Sequence, residues 1–283
     1  MPLRTSKSEP KIMSISADVE LLEAEAWAQM HAAWAAEAPG ATTVKRWGRA
    51  TGLLTPAVEA VAVNRVIGLG CEVPLDRQTL TEVRNFYRAA GRTRWFLDWS
   101  PDAQATEQDL LESAGGQLRN HQAKTFARIA DTRPVADSGF VQVVKVSHET
   151  RASFRDLVAP LLGIPDAGHA GIIAPVGQTG WHYYFAVAGG KAIAGAAMFS
   201  DGHGAWFGLS ATLPAHRNMG AQSALLSARI RDARALGCTW VSAETHPTSA
   251  DTNPSLRNMA RAGMHVLYHR PFYRFDEPAP SSP

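Results

Sequence analysis

Hydrophobic residues recur along this chain with two different spacings. Apolar positions three or four residues apart predict helices at 17–37, 77–90 and 105–113. Short apolar runs bounded by Gly, Pro or other turn residues predict strands at 43–49, 58–67, 93–100 and 122–130. The first half therefore has the predicted order helix, strands, helix, strand, helix, strand.

The second half has clearer signals. A strand at 140–146 and a helix at 149–162 precede two strands, 181–187 and 192–200, around the hairpin turn Gly189–Gly190–Lys191. The remaining predicted elements are a strand at 205–212, a helix closed by Gly237, a strand at 238–244, a short helix at 253–263 and the last strands within 265–275.

The polar segment 131–139 contains Pro and Gly and is the best candidate linker in the chain. It divides the sequence into two halves, with a flexible segment expected at each end. The expected divisions are a flexible N-terminus at 1–16, domains at 17–136 and 137–275, and a disordered tail at 276–283.

One junction between a predicted strand and a predicted helix has the features of a ligand-binding loop. A predicted strand ends at Pro214, and a short basic loop then enters the helix that closes at Gly237. Such a loop presents unpaired backbone N–H groups and the positive end of the helix dipole, which together favour a phosphate. Arg217 adds a charge there, and Gly220 allows close backbone approach. On the helix itself, Leu226, Ile230 and Ala233 share an apolar face, and Arg229, Arg231 and Arg234 are predicted to form a basic one.

The junction resembles the pyrophosphate-binding segment of the GCN5-related N-acetyltransferases, the GNAT superfamily. That segment has the pattern Gln/Arg-x-x-Gly-x-Gly/Ala, which Arg217-Asn218-Met219-Gly220-Ala221 matches through five positions, while Gln222 stands where Gly or Ala is usual. The order of elements from 140 to 275 is similar to that of the family as well. The resemblance implies a mixed α/β sheet with the acyl-CoA N-acyltransferase fold.

The first half has the same order of elements but a different corner. Its glycine-containing segment, 68–73, lacks a basic residue and carries Glu72, with Asp76 close by. Acidic side chains oppose a phosphate, and Asp76 is better explained as the cap of the helix that follows. We therefore expect two tandem copies of the fold, of which the N-terminal one is degenerate and lacks a CoA site.

Composition narrows the possible functions. A hydrophobic fraction of 45% is typical of globular proteins, and a formal net charge of +2 is too small to indicate a nucleic-acid partner. Because the sequence has no apolar run of about 18 residues and no secretory h-region, we expect a cytoplasmic protein without a membrane partner. Cys71 and Cys238 are interpreted as buried small residues. The histidines show no metal-ligand spacing, so no metal is expected.

The family resemblance implies where acetyl-CoA, or another acyl-CoA, would bind as cosubstrate. Its pantetheine amides would pair with the backbone near Ser210, Ala211 and Thr212. Its pyrophosphate would lie on the loop and first turn formed by Arg217, Asn218, Met219, Gly220, Ala221 and Gln222. Asn253, which caps the next helix, is included among the cofactor contacts. The acceptor would be a small-molecule or peptide amine, and the oligomeric state is left open.

The catalytic groups are less well specified. Glu244, at the end of a predicted strand, is either the acid/base group that accepts the amine proton or a residue that only caps the loop. The family often has a tyrosine four residues before the glycine of the last helix, where this chain has Met259. Either Tyr268, Tyr273 or a water protonates the departing thiolate, or the protein is slow or inactive.

Three hypotheses follow for the function. An acyl-CoA-dependent N-acetyltransferase is favoured by the basic loop and by the order of elements. A non-catalytic CoA-binding sensor or partner-binding module is second, because of Met259 and the degenerate first half. A purely structural interaction protein is third, and the loop at Arg217 argues against it.

Overall fold

The computed structural model describes residues 14–99, 105–133, 139–246 and 252–278. The helices are α1 (Ile15–Glu37), α2 (Arg77–Ala89), α3 (Ala105–Ser113), α4 (Arg151–Leu161), α5 (Ala221–Ala235) and α6 (Pro254–Arg261). The first strands are β1 (Thr43–Trp47), β2 (Ala50–Leu54), β3 (Arg65–Ile67), β4 (Arg94–Asp98) and β5 (Gln117–Arg128). The others are β6 (Gln142–Lys145), β7 (Trp181–Ala188), β8 (Lys191–Ser200), β9 (Gly204–Thr212), β10 (Trp240–Thr245) and β11 (His265–Asp276).

The strands form one 11-stranded sheet in the order β1-β2-β3-β4-β11-β5-β10-β9-β8-β7-β6. Two neighbouring pairs in it are parallel, β3 with β4 and β9 with β10. Each parallel pair is connected by a helix, α2 in the first half and α5 in the second. The same unit thus occurs once in each half, which confirms the mixed α/β fold with two copies.

The two halves exchange strands at the centre of the sheet. The strand β11, from the end of the chain, lies between β4 and β5, while β5 lies between β11 and β10. The division expected near residue 136 therefore separates segments of the chain but not of the sheet. The segment 265–275, expected to contain several strands, lies within the single strand β11, and the position beside β11 in the sheet is taken by β5.

Helix α1 is buried over most of its surface, and a stripe with Asp18, Glu25 and Gln29 is left partly exposed. It packs against β2 and β9, one from each half, and its Trp27 ring lies 6.1 Å from that of Trp206. The acidic residues Glu20 and Glu23 of the same helix are fully buried. The apolar core on this face of the sheet also includes α4, while a second core lies under α5 and α6 on the opposite face.

Local differences from the predicted elements lie mainly in the first half. A tight turn at Gly48, where φ is +57°, joins β1 to β2, and the Trp47–Ala50 pair closes the hairpin. Only 65–67 of the expected strand 58–67 is extended as a strand. The sequence lacks the Asn-Gly or Asp-Gly pair that usually marks so short a hairpin, so the turn was missed.

The expected linker and tail are partly ordered. Arg133 donates its backbone N–H to the Ala262 carbonyl at 3.0 Å, so the start of the linker packs on the end of α6. Asp276 belongs to β11, and Glu277 forms ion pairs with Arg84 and Arg88 at 3.1 and 3.2 Å. These contacts correct the expectation that the tail is disordered from residue 276. The segments 1–13, 134–138 and 279–283 lie outside the described residues.

Candidate functional site

The parallel strands β9 and β10 separate towards their C-terminal ends. Their register runs from the Trp240–Gly204 pair to the Ala243–Phe207 pair, and β9 then continues to Thr212 without pairing to β10. On the other side of β9, the register with β8 shifts by one residue, which forms a β-bulge. Leu209 in the bulge has φ +48°, a left-handed conformation that is uncommon for leucine. A gap results between the two strands.

The edge of β9 that faces this gap includes Ser210, Ala211 and Thr212, the residues expected to meet pantetheine. Ala211 and Thr212 pair with β8 on one side only, and Ser210 is exposed. Their backbone is therefore available to an extended ligand along the gap. Their contact with pantetheine stays a prediction.

A cavity of about 420 Å³ occupies the gap and extends through the sheet. The first half of the chain contributes Trp27, Ala62, Asn120 and Gln122 to its wall. The second half contributes, among others, Trp206, Phe207, Ser210, Arg229, Glu244 and Met259. The degenerate half is thus part of the site.

The basic loop lies at the start of α5. Asn218 and Gly220 both have positive φ, +64° and +85°, and no side chain of the described residues caps this helix. Arg217 and Met219 are exposed, Met219 at 41%. First-turn N–H groups that lack a side-chain acceptor, beside an arginine, favour an anion, and the binding of one at this loop stays a prediction.

The equivalent corner of the first half is closed. The Asp76 carboxylate accepts the Thr79 N–H at 2.7 Å and caps α2. That hydrogen bond from the Thr79 backbone lowers the pKa of Asp76, which keeps the carboxylate charged. An anionic ligand would have to displace this cap, so the corner does not resemble a phosphate site.

Two residues named as cofactor contacts link the helices to each other. The Gln222 amide donates to Ser255 Oγ and accepts from Asn258 Nδ2, both at 2.8 Å, and so bridges α5 and α6. Ala221 is buried at 2% exposure. Asn253 caps α6 and donates to Thr245 Oγ1 and the His246 carbonyl at 3.2 and 3.0 Å. Because all these groups of Asn253 are engaged and it is 7% exposed, we correct its assignment to a structural cap.

Glu244 lies at the end of β10, on the cavity wall, with 23% of its side chain exposed. Its Oε2 accepts from Arg270 Nη2 at 2.5 Å and lies 3.9 Å from Lys124 Nζ. Its Oε1 lies 4.0 Å from Arg65 Nη2. It does not cap the loop that follows within the described residues. Instead it is the one partly exposed member of a buried charged cluster.

This buried cluster joins both halves. It consists of four carboxylates and three cations: Glu20, Glu23, Asp98, Glu244, Arg65, Lys124 and Arg270. All except Glu244 have side chains no more than 2% exposed. Since there is one carboxylate more than there are cations, uptake of one proton would make the cluster neutral.

The electrostatics favour a proton on Glu244 over one on Glu23. Burial raises the pKa of Glu244, and the nearby charge of Glu23 raises it further, although Arg270, Arg65 and Lys124 oppose the shift. Burial would also raise the pKa of Glu23, but Arg270, Lys124 and Arg65 hold it well below the ordinary value. Of these two carboxylates, Glu244 takes up a proton more readily, and it faces the cavity.

The two tyrosines expected to protonate the thiolate do not line the cavity. Tyr268 donates its hydroxyl to Glu20 Oε1 at 2.5 Å under α1 and is absent from the cavity wall. Tyr273 is fully buried in the core of the first half, with its ring 6.2 Å from Trp99. Both assignments are corrected, because neither hydroxyl faces the cavity. Met259 does line it, and its sulfur accepts from Thr125 Oγ1 at 3.3 Å.

Several wall residues were not found from the sequence. Arg229, predicted on a basic helix face, is 3% exposed, and Trp27 comes from a helix assigned to the other domain. Glu20 and Glu23 could have been noticed as acids within an apolar helix. The positions of Arg270 and Lys124 depend on the strand exchange, which leaves no local signal.

Two further observations bear on other classes of site. None of the helices that the structure describes is both long and apolar enough to cross a bilayer. Within the same residues, His, Cys, Asp and Glu do not form a group of three or more that could hold a metal ion.

Comparisons with known proteins agree with this geometry. Residues 165–264 match the model of the Acetyltransferase (GNAT) family, and no curated protein matches the chain. A GCN5-related N-acetyltransferase from Kribbella flavida is 14% identical with a TM-score of 0.65, covering 95% of this chain and 97% of that one. A tandem GNAT protein from the clavulanic acid biosynthesis pathway is 15% identical with a TM-score of 0.60, covering 94% of each chain.

At such low identity these structures show the fold alone. The structure named as a tandem GNAT protein is nevertheless matched over nearly the whole chain. Residues 165–264 therefore match the GNAT family, and almost the whole chain has the fold of a solved tandem GNAT protein.

Proposed function

We propose that this protein is an acyl-CoA-dependent N-acyltransferase, with the thioester in the gap between β9 and β10. The observation that carries the proposal is the combination of this gap, the bulge at Leu209 and the uncapped start of α5 at one end of it. The N–H groups of the α5 first turn and Arg217 would bind the pyrophosphate. The free edge of β9 at 210–212 would pair with the pantetheine amides.

The acceptor amine would approach from the α1 side of the sheet. Glu244 and Trp27 line the cavity there, beside Gln122 from β5. Glu244 would accept the proton that the attacking nitrogen loses, because its raised pKa and partial exposure suit proton uptake. Backbone N–H groups at the bulge would hold the negative charge that develops on the carbonyl oxygen.

Titration of the full-length chain with CoA and acetyl-CoA, followed by an amine screen that detects free thiol, tests this function. We expect both nucleotides to bind and to raise the melting temperature, since a ligand of the native state alone stabilises it. The amine should be required for thiol release. Absence of CoA binding at millimolar concentration would contradict the proposal.

A non-catalytic CoA-binding module is the second candidate. It is favoured by Met259, which cannot protonate a thiolate, and by the short Arg270–Glu244 contact, which engages the candidate base. Such a module would bind CoA with the same contacts but would release no thiol with any amine. The amine screen therefore separates the two candidates.

A further inference from the structure

Arg229 is a buried cation without an anionic partner among the residues that the structure describes. It lies on α5 at the cavity wall and is 3% exposed. Its Nε donates to the Leu225 carbonyl and its Nη1 to the Ala197 carbonyl, both at 3.2 Å. Its guanidinium carbon lies 4.7 Å from the centre of the Phe207 ring. No carboxylate of the described residues forms an ion pair with it, whereas each cation of the buried cluster has at least one.

Such a charge is costly to keep out of water. Burial lowers the pKa of Arg229 to about 10, so the guanidinium is still protonated at neutral pH. Carbonyl oxygens and an aromatic face compensate it only in part, because a buried ion usually requires a counter-ion. The cavity therefore has a positive charge in its wall that no carboxylate of the described residues neutralises.

This charge and Glu244 lie on opposite faces of the sheet. Phe207 and Ala243 belong to the core under α5, where Arg229 also lies, whereas Trp206 belongs to the core under α1. Side chains alternate along a strand, so Glu244 points to the α1 side and its neighbour Ala243 to the α5 side. If the amine attacks from the side of Glu244, the rest of the acyl group extends towards Arg229.

We propose that the acyl donor is a CoA thioester of a dicarboxylic acid, whose free carboxylate pairs with Arg229. This inference rests on the proposed function. In the transfer, the amine nitrogen forms a bond to the thioester carbon as the C–S bond breaks. The proton lost by the nitrogen passes through Glu244 to the CoA thiolate, and the free carboxylate is unchanged. Phe207 and Leu226 would contact the methylene groups between the two carbonyl carbons.

Arg229 has two other conceivable roles. Ala197, whose carbonyl it binds, is opposite Gly208 next to the bulge, so Arg229 could serve only to hold the bulge. It could instead stabilise the departing thiolate, for which Met259 offers no proton. Neither role gives a preference among acyl groups in the bound state, which makes the three roles separable.

The test is isothermal titration of the full-length protein with CoA, butyryl-CoA and succinyl-CoA. The butyryl and succinyl groups have the same number of carbons and differ in the free carboxylate. We expect succinyl-CoA to bind at least about tenfold more tightly than butyryl-CoA, because a charge-assisted contact is gained. Glutaryl-CoA and valeryl-CoA form a second pair that allows for a longer reach.

Two variants locate the effect. Arg229→Met keeps an unbranched apolar stem but removes the charge, so it should abolish the preference while CoA itself binds as before. Arg231→Met, at an exposed position of the same helix, should leave the preference intact. If Arg229→Met fails to fold, the affinities of the parent protein for the neutral and acidic thioesters still test the preference.

The inference is overturned if the neutral and acidic thioesters bind equally in both pairs. If, in addition, Arg229→Met loses turnover to the same extent with every thioester, Arg229 has the thiolate role. A preference that survives in folded Arg229→Met overturns it as well. Failure of CoA and all thioesters to bind would instead contradict the proposed function.

Discussion

Glu244 is positioned by residues that are remote in sequence. Its carboxylate meets Arg270 from β11 and Lys124 from β5, and the charge of Glu23 on α1 keeps its pKa raised. A base in this setting is not simply an exposed carboxylate. Its proton affinity is determined by the balance of a cluster that is otherwise closed to solvent.

Replacement of Glu244 by Gln tests this role. The change keeps the shape of the side chain but removes the proton acceptor, so the chemical step should slow by about 10²–10⁴-fold. Affinity for CoA should be nearly unchanged, because the proposed pyrophosphate site lies at the other end of the gap. Steady-state kinetics and CoA titration of the folded variant measure both.

The pH profile of the parent protein gives an independent check. Base activity is lost as the pH falls through the pKa of Glu244, so the acidic limb should lie above the ordinary glutamate range. In Glu244→Gln that limb should disappear. A variant rate within about threefold of the parent would remove Glu244 as the base.

His31 provides a second prediction at the scale of a residue. Burial, and then the charge of Arg65, lowers its pKa to about 3, and its Nδ1 contacts Thr42 Oγ1 at 2.5 Å. The unfolded chain binds a proton near pH 6.5, so the native state loses stability as the pH falls below that value. The loss from this group should be on the order of several kcal/mol by pH 3.

Denaturant unfolding at pH 7.5 and pH 5 measures the effect. His31→Gln should have a smaller difference between the two pH values than the parent, whatever its absolute stability. His148→Gln, at an exposed position, should behave like the parent. An unchanged difference in His31→Gln would show that other groups control the acid response.

At the scale of elements, the start of α5 is the feature that local sequence specifies best. Gly220 adopts φ +85° and Asn218 +64°, conformations that glycine and asparagine tolerate. The turn therefore leads directly into the first turn of α5, whose N–H groups have no side-chain cap among the described residues. A larger β-branched residue would strain this backbone as well as block the approach of a ligand.

Arg217→Ala should weaken CoA binding at least about tenfold, since a charge-assisted contact to phosphate is removed. Arg231→Ala, on the exposed face of the same helix, is the matched control and should bind as the parent does. Titration calorimetry in low and high salt gives the measurement. Equal affinities of the two variants would show that Arg217 does not contact the phosphates.

The contrast between α5 and the buried cluster shows what the sequence can predict. The Arg217–Gly220 loop, the hairpin at Gly189 and the caps of α2 and α6 depend on neighbouring residues, and they were predicted from the sequence. The contact of Arg270 with Glu20 joins residues 250 positions apart, so no local pattern contains it. The burial of Arg229 was missed because helical periodicity assigns a charged residue to solvent.

At the scale of the whole molecule, the exchange of β5 and β11 makes the two halves interdependent. The strand β10 pairs with β5 over its full length, from the Trp240–Arg128 pair to the Thr245–Ala123 pair. Without the first half, β10 would lose this neighbour, and Trp206 would lose its contact with Trp27. The cluster would lose Glu23, leaving Arg270 without one of its buried partners.

We therefore predict that residues 137–283 do not fold alone, although they contain the complete β9–α5–β10 unit. An unpaired central strand is destabilising, and removing a partner from a buried ion pair costs about 3–5 kcal/mol. The isolated fragment should show no cooperative thermal transition, whereas the full-length chain should melt as one unit. Because the exchanged strands need no covalent link to pair, co-expression with residues 1–136 should restore a stable complex that binds CoA. A fragment that melts cooperatively and binds CoA without its partner would show that β5 and α1 are dispensable, and the acceptor side of the cavity would then have to be sought within the second half alone.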